Sequence, residues 1–204
     1  MSDELFLRSY RLKVGRTTGS RVYEMRAGDA SPGDGDGLRI TFQATHFAGG
    51  AFSVAEVTIF NVSSYAERQM LGDGVTKKYE FISLEAGYDG LFGAVFVGQI
   101  VNVQRHLEDG GATKGIRFFC KSSAKERDQN LINLTLAPET DPMQIIEECA
   151  APFGAEIQFY GDFSGLKRRS RGTILQGSPT ACMNELAETF QFDWMVENGA
   201  IKII

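Results

Sequence analysis

Two segments thirty-seven residues apart repeat one another, and this duplication constrains the fold more than any other feature of the chain. The first copy runs from Asp141-Pro142 to Ala150-Ala151-Pro152-Phe153 and leads into Ala155-Glu156-Ile157-Gln158-Phe159. The second runs from Ser178-Pro179 to Ala187-Glu188-Thr189-Phe190 and leads into Phe192-Asp193-Trp194-Met195-Val196. Pro142 matches Pro179, Glu148 matches Glu185, Ala150 matches Ala187 and Phe153 matches Phe190. Each copy starts with a capping side chain and a proline at the first helical position, where a missing N–H costs nothing. Asp141 and Gln144 have the spacing of a capping box. Ile146, Cys149, Ala150 and Phe153 fall on one helical face, as do Met183, Leu186, Ala187 and Phe190. A strand is expected before each helix, near Leu134-Thr135-Leu136 and Thr173-Ile174-Leu175, and a final strand after the turn Asn198-Gly199. Residues 125–204 therefore read as an α+β domain built from a duplicated β-α-β unit, two helices against a small sheet.

Residues 1–124 have a different rhythm. Arg8-Ser9-Tyr10-Arg11-Leu12-Lys13-Val14 alternates polar with apolar side chains, the period of a strand with one buried face. The same pattern recurs at Leu38–Phe42, Val57–Phe60, Phe81–Ala86, Val95–Val103 and Gly115–Cys120. Gly98 inside the longest run suggests a bulge or bend. One short helix is expected from about Ser64 to Leu71, capped by Ser63 or Ser64. Six or more strands with one helix predict an antiparallel sandwich or barrel. The glycine- and aspartate-rich run 28–37 cannot bury apolar surface and reads as a loop. It lacks the carboxylate spacing and distant glutamate of a calcium-binding hand, so no metal is assigned to it. The boundary between the two domains falls in the charged, non-periodic stretch from Ser122 to Asn130.

Composition narrows the function classes. Of 204 residues, 43% are hydrophobic and 23% charged, ordinary for a globular protein. The net charge of −5 is unevenly placed: residues 1–124 hold 14 basic and 14 acidic side chains, residues 125–204 hold 7 and 12. Neither half is basic enough for a general nucleic-acid binder. Cys120, Cys149 and Cys182 are odd in number and without metal-like spacing, which predicts buried free thiols. The start of the chain lacks the basic region and apolar run of a secretory signal, so synthesis and folding in a cytosol are expected. No run approaches the roughly 20 apolar residues of a membrane span.

Catalysis needs convergent acid, base, nucleophile or metal ligands. His46 and His106 lie in different strand regions without partners at ligand spacing. Gly87-Tyr88-Asp89-Gly90 is a turn signal, and Glu147-Glu148 sits on a solvent face. The chain is read as non-enzymatic and without a cofactor. Lys167-Arg168-Arg169-Ser170-Arg171 is a dense basic cluster between the two repeats. It is either a solvated loop or a contact for an acidic neighbouring subunit or for passing DNA.

The order of signals in the first half resembles the bacteriophage baseplate (tail) hub family. The resemblance is carried by Leu38–Phe42, by Ala55-Glu56-Val57-Thr58-Ile59-Phe60-Asn61-Val62-Ser63, by Leu84-Glu85-Ala86-Gly87-Tyr88 and by Val95-Phe96-Val97-Gly98-Gln99-Ile100. It spans nearly the whole chain and is similar to the N-terminal part of type VI secretion spike proteins. It implies a tube-type β-barrel followed by the α+β insertion, in a virion structural subunit. It also implies a homotrimer or ring of hub subunits between the tail tube protein and a central spike protein, with DNA passing transiently through the ring. A second barrel usually follows the insertion in such hubs. Here Ile204 ends the chain, which leaves another polypeptide, a truncation or a different ring to account for it.

For the interface, the loop 28–37 with Asp34 and Asp36, the turn 87–93 with Tyr88 and Phe92, and Lys167, Arg168, Arg169 and Arg171 are the candidates. Phe92 and Phe96 also fit ordinary core positions. Two alternatives compete with the tail reading. One is a glycan- or peptidoglycan-binding β-module, which clustered exposed aromatics around a pocket would mark. The other is a ring-building component of a secretion machine, since the β-α-β repeats also resemble the small ring domains of secretins.

Overall fold

The computed structural model describes residues 8–15, 22–27, 38–47, 52–71, 80–88 and 91–204. The chain forms two compact units, one of Met1–Thr45 and Val54–Ser122, the other of His46–Ser53 and Ser123–Ile204. The first unit is a mainly antiparallel sheet with one helix, and the second mixes helices with short strands, so the chain is α+β.

The first unit is a seven-stranded sheet. Its strands are β1 (Arg8–Gly15), β2 (Val22–Ala27), β3 (Ile40–Thr45), β4 (Val54–Phe60), β5 (Phe81–Tyr88), β6 (Leu91–Glu108) and β7 (Thr113–Lys121). They are ordered β2-β1-β5-β6-β7-β4-β3, and every pairing is antiparallel. Alternation puts Leu12 and Val14, Ala55, Val57 and Ile59, Ile82 and Leu84, Phe96 and Ile100, and Ile116, Phe118 and Cys120 on one buried face. Burying each large apolar side chain contributes about 1.5–3 kcal/mol, so this face dominates the unit's stability. Helix α1 (Ser64–Leu71) forms where expected, with the Ser63 hydroxyl accepting the Ala66 N–H at 3.2 Å, and it sends Met70 into the same core.

Two sequence expectations change here. Gly98 is in regular register opposite Ile82; the bulges lie on either side of it, at Val95 and Val101. Gly98 instead leaves room, since a Cβ there would meet the Lys121 carbonyl oxygen at 2.7 Å and the Phe96 ring at 2.8 Å. Strand β2 carries no clear signal in the sequence, because Val22–Ala27 includes Glu24 and Arg26 and borders the glycine-rich run.

The sheet is rolled. The Tyr10 hydroxyl, from β1, donates to the Leu38 carbonyl just before β3. In a flat sheet these strands, five positions apart, would be separated by about 24 Å. Among the described residues no ladder joins β2 to β3, so the roll they form does not show the closed barrel expected from the sequence. Across the seam the contact is a tyrosine side chain and its hydrogen bond, a wider spacing than the about 4.8 Å of a ladder.

The second unit contains both copies of the repeat. Its elements are α2 (Ala124–Gln129), β8 (Ile132–Leu136), α3 (Pro142–Ala150), β9 (Glu156–Phe159), β10 (Thr173–Gly177), α4 (Pro179–Phe190), β11 (Trp194–Glu197) and β12 (Ala200–Ile203). Asp141 caps α3 by accepting the Met143 N–H at 2.9 Å, and Ser178 caps α4 by accepting the Ala181 N–H at 3.2 Å. The Gln144 side chain donates to Glu148 at 2.8 Å, so it does not close the expected capping box. Ile146, Cys149, Ala150 and Phe153 are buried, as are Met183 and Leu186, while Ala187 and Phe190 pack at the margin.

The expected single small sheet is two sheets. Strand β8 pairs with β10, and β11, β12 and β9 form the other, with β12 in the middle. The two strands of each repeat therefore lie in different sheets. Asn198 and Gly199, at φ 51° and 82°, turn β12 tightly back onto β11, and β12 then occupies the edge of β9. Phe52 and Ser53 also belong to this unit. The Ser53 hydroxyl donates to the Val196 carbonyl at 3.0 Å, and the Arg127 guanidinium lies 4.3 Å from the Phe52 ring centroid.

Candidate interaction surface

Among the described residues strand β3 is the last of its sheet, with no strand on its outer side. The Phe60 N–H donates to the Arg39 carbonyl and the Asn61 N–H to the Lys114 carbonyl, which sets the phase of both ladders. Antiparallel pairing alternates bonded and non-bonded positions, so Thr41, Gln43 and Thr45 bond to β4. The N–H and C=O groups of Ile40, Phe42 and Ala44 point away from β4, with no strand beyond them among the described residues.

The side chains at those same positions face the core side. Ile40, Phe42 and Ala44 stand opposite Ile59, Val57 and Ala55, all buried. Yet Phe42 is 44% exposed where its partner Val57 is 0%. The roll leaves a groove there, lined by Tyr10, Leu38, Ile40, Phe42, Tyr88 and Val95. It is mainly apolar and floored by the Tyr10–Leu38 contact. Tyr88, a sequence candidate, lines it. The sequence marks Phe42 only as a strand residue, because alternation alone carries no sign that its strand lies at an edge.

On the other face of the sheet, buried Phe60 lies under the Arg39 guanidinium at 4.3 Å and edge-on to His106 at 5.8 Å. Arg117 approaches His106 Nδ1 at 2.7 Å and Glu56 at 3.2 Å, and Arg39 pairs with Glu108 at 3.1 Å, while on the side of α1 Arg105 pairs with Glu67 at 2.9 Å. Each cation has a carboxylate. Partly exposed pairs of this kind contribute about 0–1 kcal/mol and brace the surface. Among the described residues no three histidine, cysteine or carboxylate side chains are placed to hold a metal ion.

The basic cluster in the second unit is divided in its roles. Arg169 donates to the hydroxyls of Thr173 at 2.8 Å and Thr189 at 2.9 Å and lies 5.7 Å from the Phe190 ring. Its carbonyl accepts from the Glu139 N–H. It is thus a latch between the loop, β10 and the end of α4. Arg127 treats the equivalent phenylalanine of the first repeat similarly, 5.6 Å from Phe153, and its burial lowers its pKa to about 10. Arg168 reaches Asp141 at 3.5 Å, while Lys167 and Arg171 are exposed. Phe92 pairs through its backbone with Gly87. Asp34 and Asp36 lie outside the described residues.

The three cysteines are buried and unpaired, as the sequence predicts. Burial raises the pKa of each, that of Cys149 to about 12. No helix among the described residues is long and apolar enough to cross a membrane.

Solved structures of phage tail proteins share this fold. The chain is similar to a tail protein of prophage MuSo2 from Shewanella oneidensis, with a TM-score of 0.62 and 13% identity over 96% of this chain and 53% of that one. It is also similar to a tail protein from Neisseria meningitidis MC58, with a TM-score of 0.56 and 13% identity over 95% of this chain and 50% of that one. The chain thus spans about half the length of these solved structures. No family model and no curated protein matches the sequence.

Proposed function

We propose that the chain is a non-enzymatic structural subunit of a phage tail, located in the virion at the baseplate hub. There it belongs to a homotrimer or larger ring between the tail tube protein and the central spike protein. The observation that carries this reading is the likeness of nearly the entire chain, both units included, to solved tail proteins. The edge of β3, unpaired among the described residues, supports it, because subunits of an assembly leave such edges for neighbours. Lys167 and Arg171, exposed on a unit that is otherwise acidic, supply a contact for an acidic neighbouring subunit or for DNA in transit.

Co-expression with the tube and spike proteins of the same phage tests the proposal. A stable complex is expected on size exclusion, with ring-shaped particles by electron microscopy. A chain that stays monomeric and binds neither protein overturns it.

A further inference from the structure

We infer that the seam beside β3 receives a strand from a second copy of this chain, and that the strand is β2. The inference rests on the tail-ring reading above and names the contact that would build the ring.

The geometry of the seam specifies an extended backbone. Ile40, Phe42 and Ala44 direct their N–H and C=O groups outward in one row, at every second residue. A strand laid along that row satisfies them, and its alternate side chains enter the groove between Phe42, Tyr10, Tyr88 and Val95. Edge strands that stay unpaired are usually blunted by lysine, proline or a bulge. Strand β3, Ile40-Thr41-Phe42-Gln43-Ala44-Thr45, has no charge, no proline and an unbroken register with β4. Its edge is built for pairing.

The same sheet supplies a matching strand at its far end. Strand β2 pairs only with β1 among the described residues, and like β3 it has six residues. Tyr23, Met25 and Ala27 hold the register positions opposite Val14, Leu12 and Tyr10, an apolar alternation in the sequence of β2. Pairing β3 of one copy with β2 of the next joins two different edges. Such a contact is heterologous, and it closes into a ring when the rotation between copies divides a full turn.

Sedimentation velocity and amide hydrogen exchange on the full chain test this. Self-association that depends on concentration is expected. Phe42→Pro removes an N–H that points away from β4, so the β3–β4 ladder survives while the dissociation constant rises at least about tenfold. Phe42→Lys, which leaves the backbone untouched, has the same effect. In the wild type, the amides of Ile40, Phe42 and Ala44 become protected on assembly together with amides of 22–27.

Association unchanged in both variants overturns the inference. So does protection of those β3 amides in the monomer, which would mean that the chain closes its own seam. Protection gained by β3 without β2, or the absence of self-association, likewise overturns it. If the chain fails these tests yet still binds the tube and spike proteins, the tail reading stands and only the edge contact falls.

Discussion

The Tyr10 hydroxyl and the Leu38 carbonyl, from strands five positions apart in one sheet, are hydrogen-bonded to each other. That bond fixes the roll of the first unit and leaves the groove beside Phe42 open. Tyr10→Phe removes the bond and keeps the ring. Stability to urea is expected to fall by about 0.5–1.5 kcal/mol, with the slope of the transition unchanged. An unaffected midpoint would show that core packing alone holds the roll.

Gly98→Ala tests the close approach inside β6. The new Cβ meets the Lys121 carbonyl oxygen, which is backbone and cannot swing aside. Overpacking of this kind costs about 1–3 kcal/mol, read as a lower melting temperature. Gly93→Ala, in the same strand with nothing near its Cβ, is the control and should be close to neutral.

The basic cluster separates by charge removal. Arg169→Ala forfeits two hydroxyl partners and the contact with Phe190, and is expected to destabilise the second unit by about 1–2 kcal/mol. Lys167→Glu with Arg171→Glu stays within about 0.5 kcal/mol of wild type in stability and weakens assembly with tail partners. Denaturation curves read the first effect and co-purification the second. Equal stability losses in both variants would contradict the division.

Alkaline pH probes the buried thiols. Burial holds Cys149 protonated up to about 12, above the 9.0 of an ordinary thiol. Between these values the folded state binds more protons than the unfolded one, so stability falls as pH rises. The contribution is complete below pH 9 and is lost on the way to 12. One such group sets a slope of at most about 1.4 kcal/mol per pH unit. Cys149→Ala should flatten the fall between pH 9 and 10.5, monitored by denaturant titration. The native thiols should also stay unreactive to a thiol reagent at neutral pH.

Periodicity and local chemistry determined much of this molecule from the sequence alone. The strand alternation, the Ser63 cap, the prolines opening α3 and α4, and the Asn198-Gly199 turn each act within a few residues, and each forms where the sequence places it. The tertiary structure decided which strands neighbour one another. Alternation marks the face of Phe42 but cannot say that β3 ends the sheet, and duplicated β-α-β segments look alike whether their strands share one sheet or two. Nothing near Phe52 or Ser53 marks them as part of the second unit, because their partners Arg127 and Val196 lie far along the chain. A side chain's own period is set by its backbone, whereas an edge, a seam or a shared core depends on distant residues brought together only by the fold.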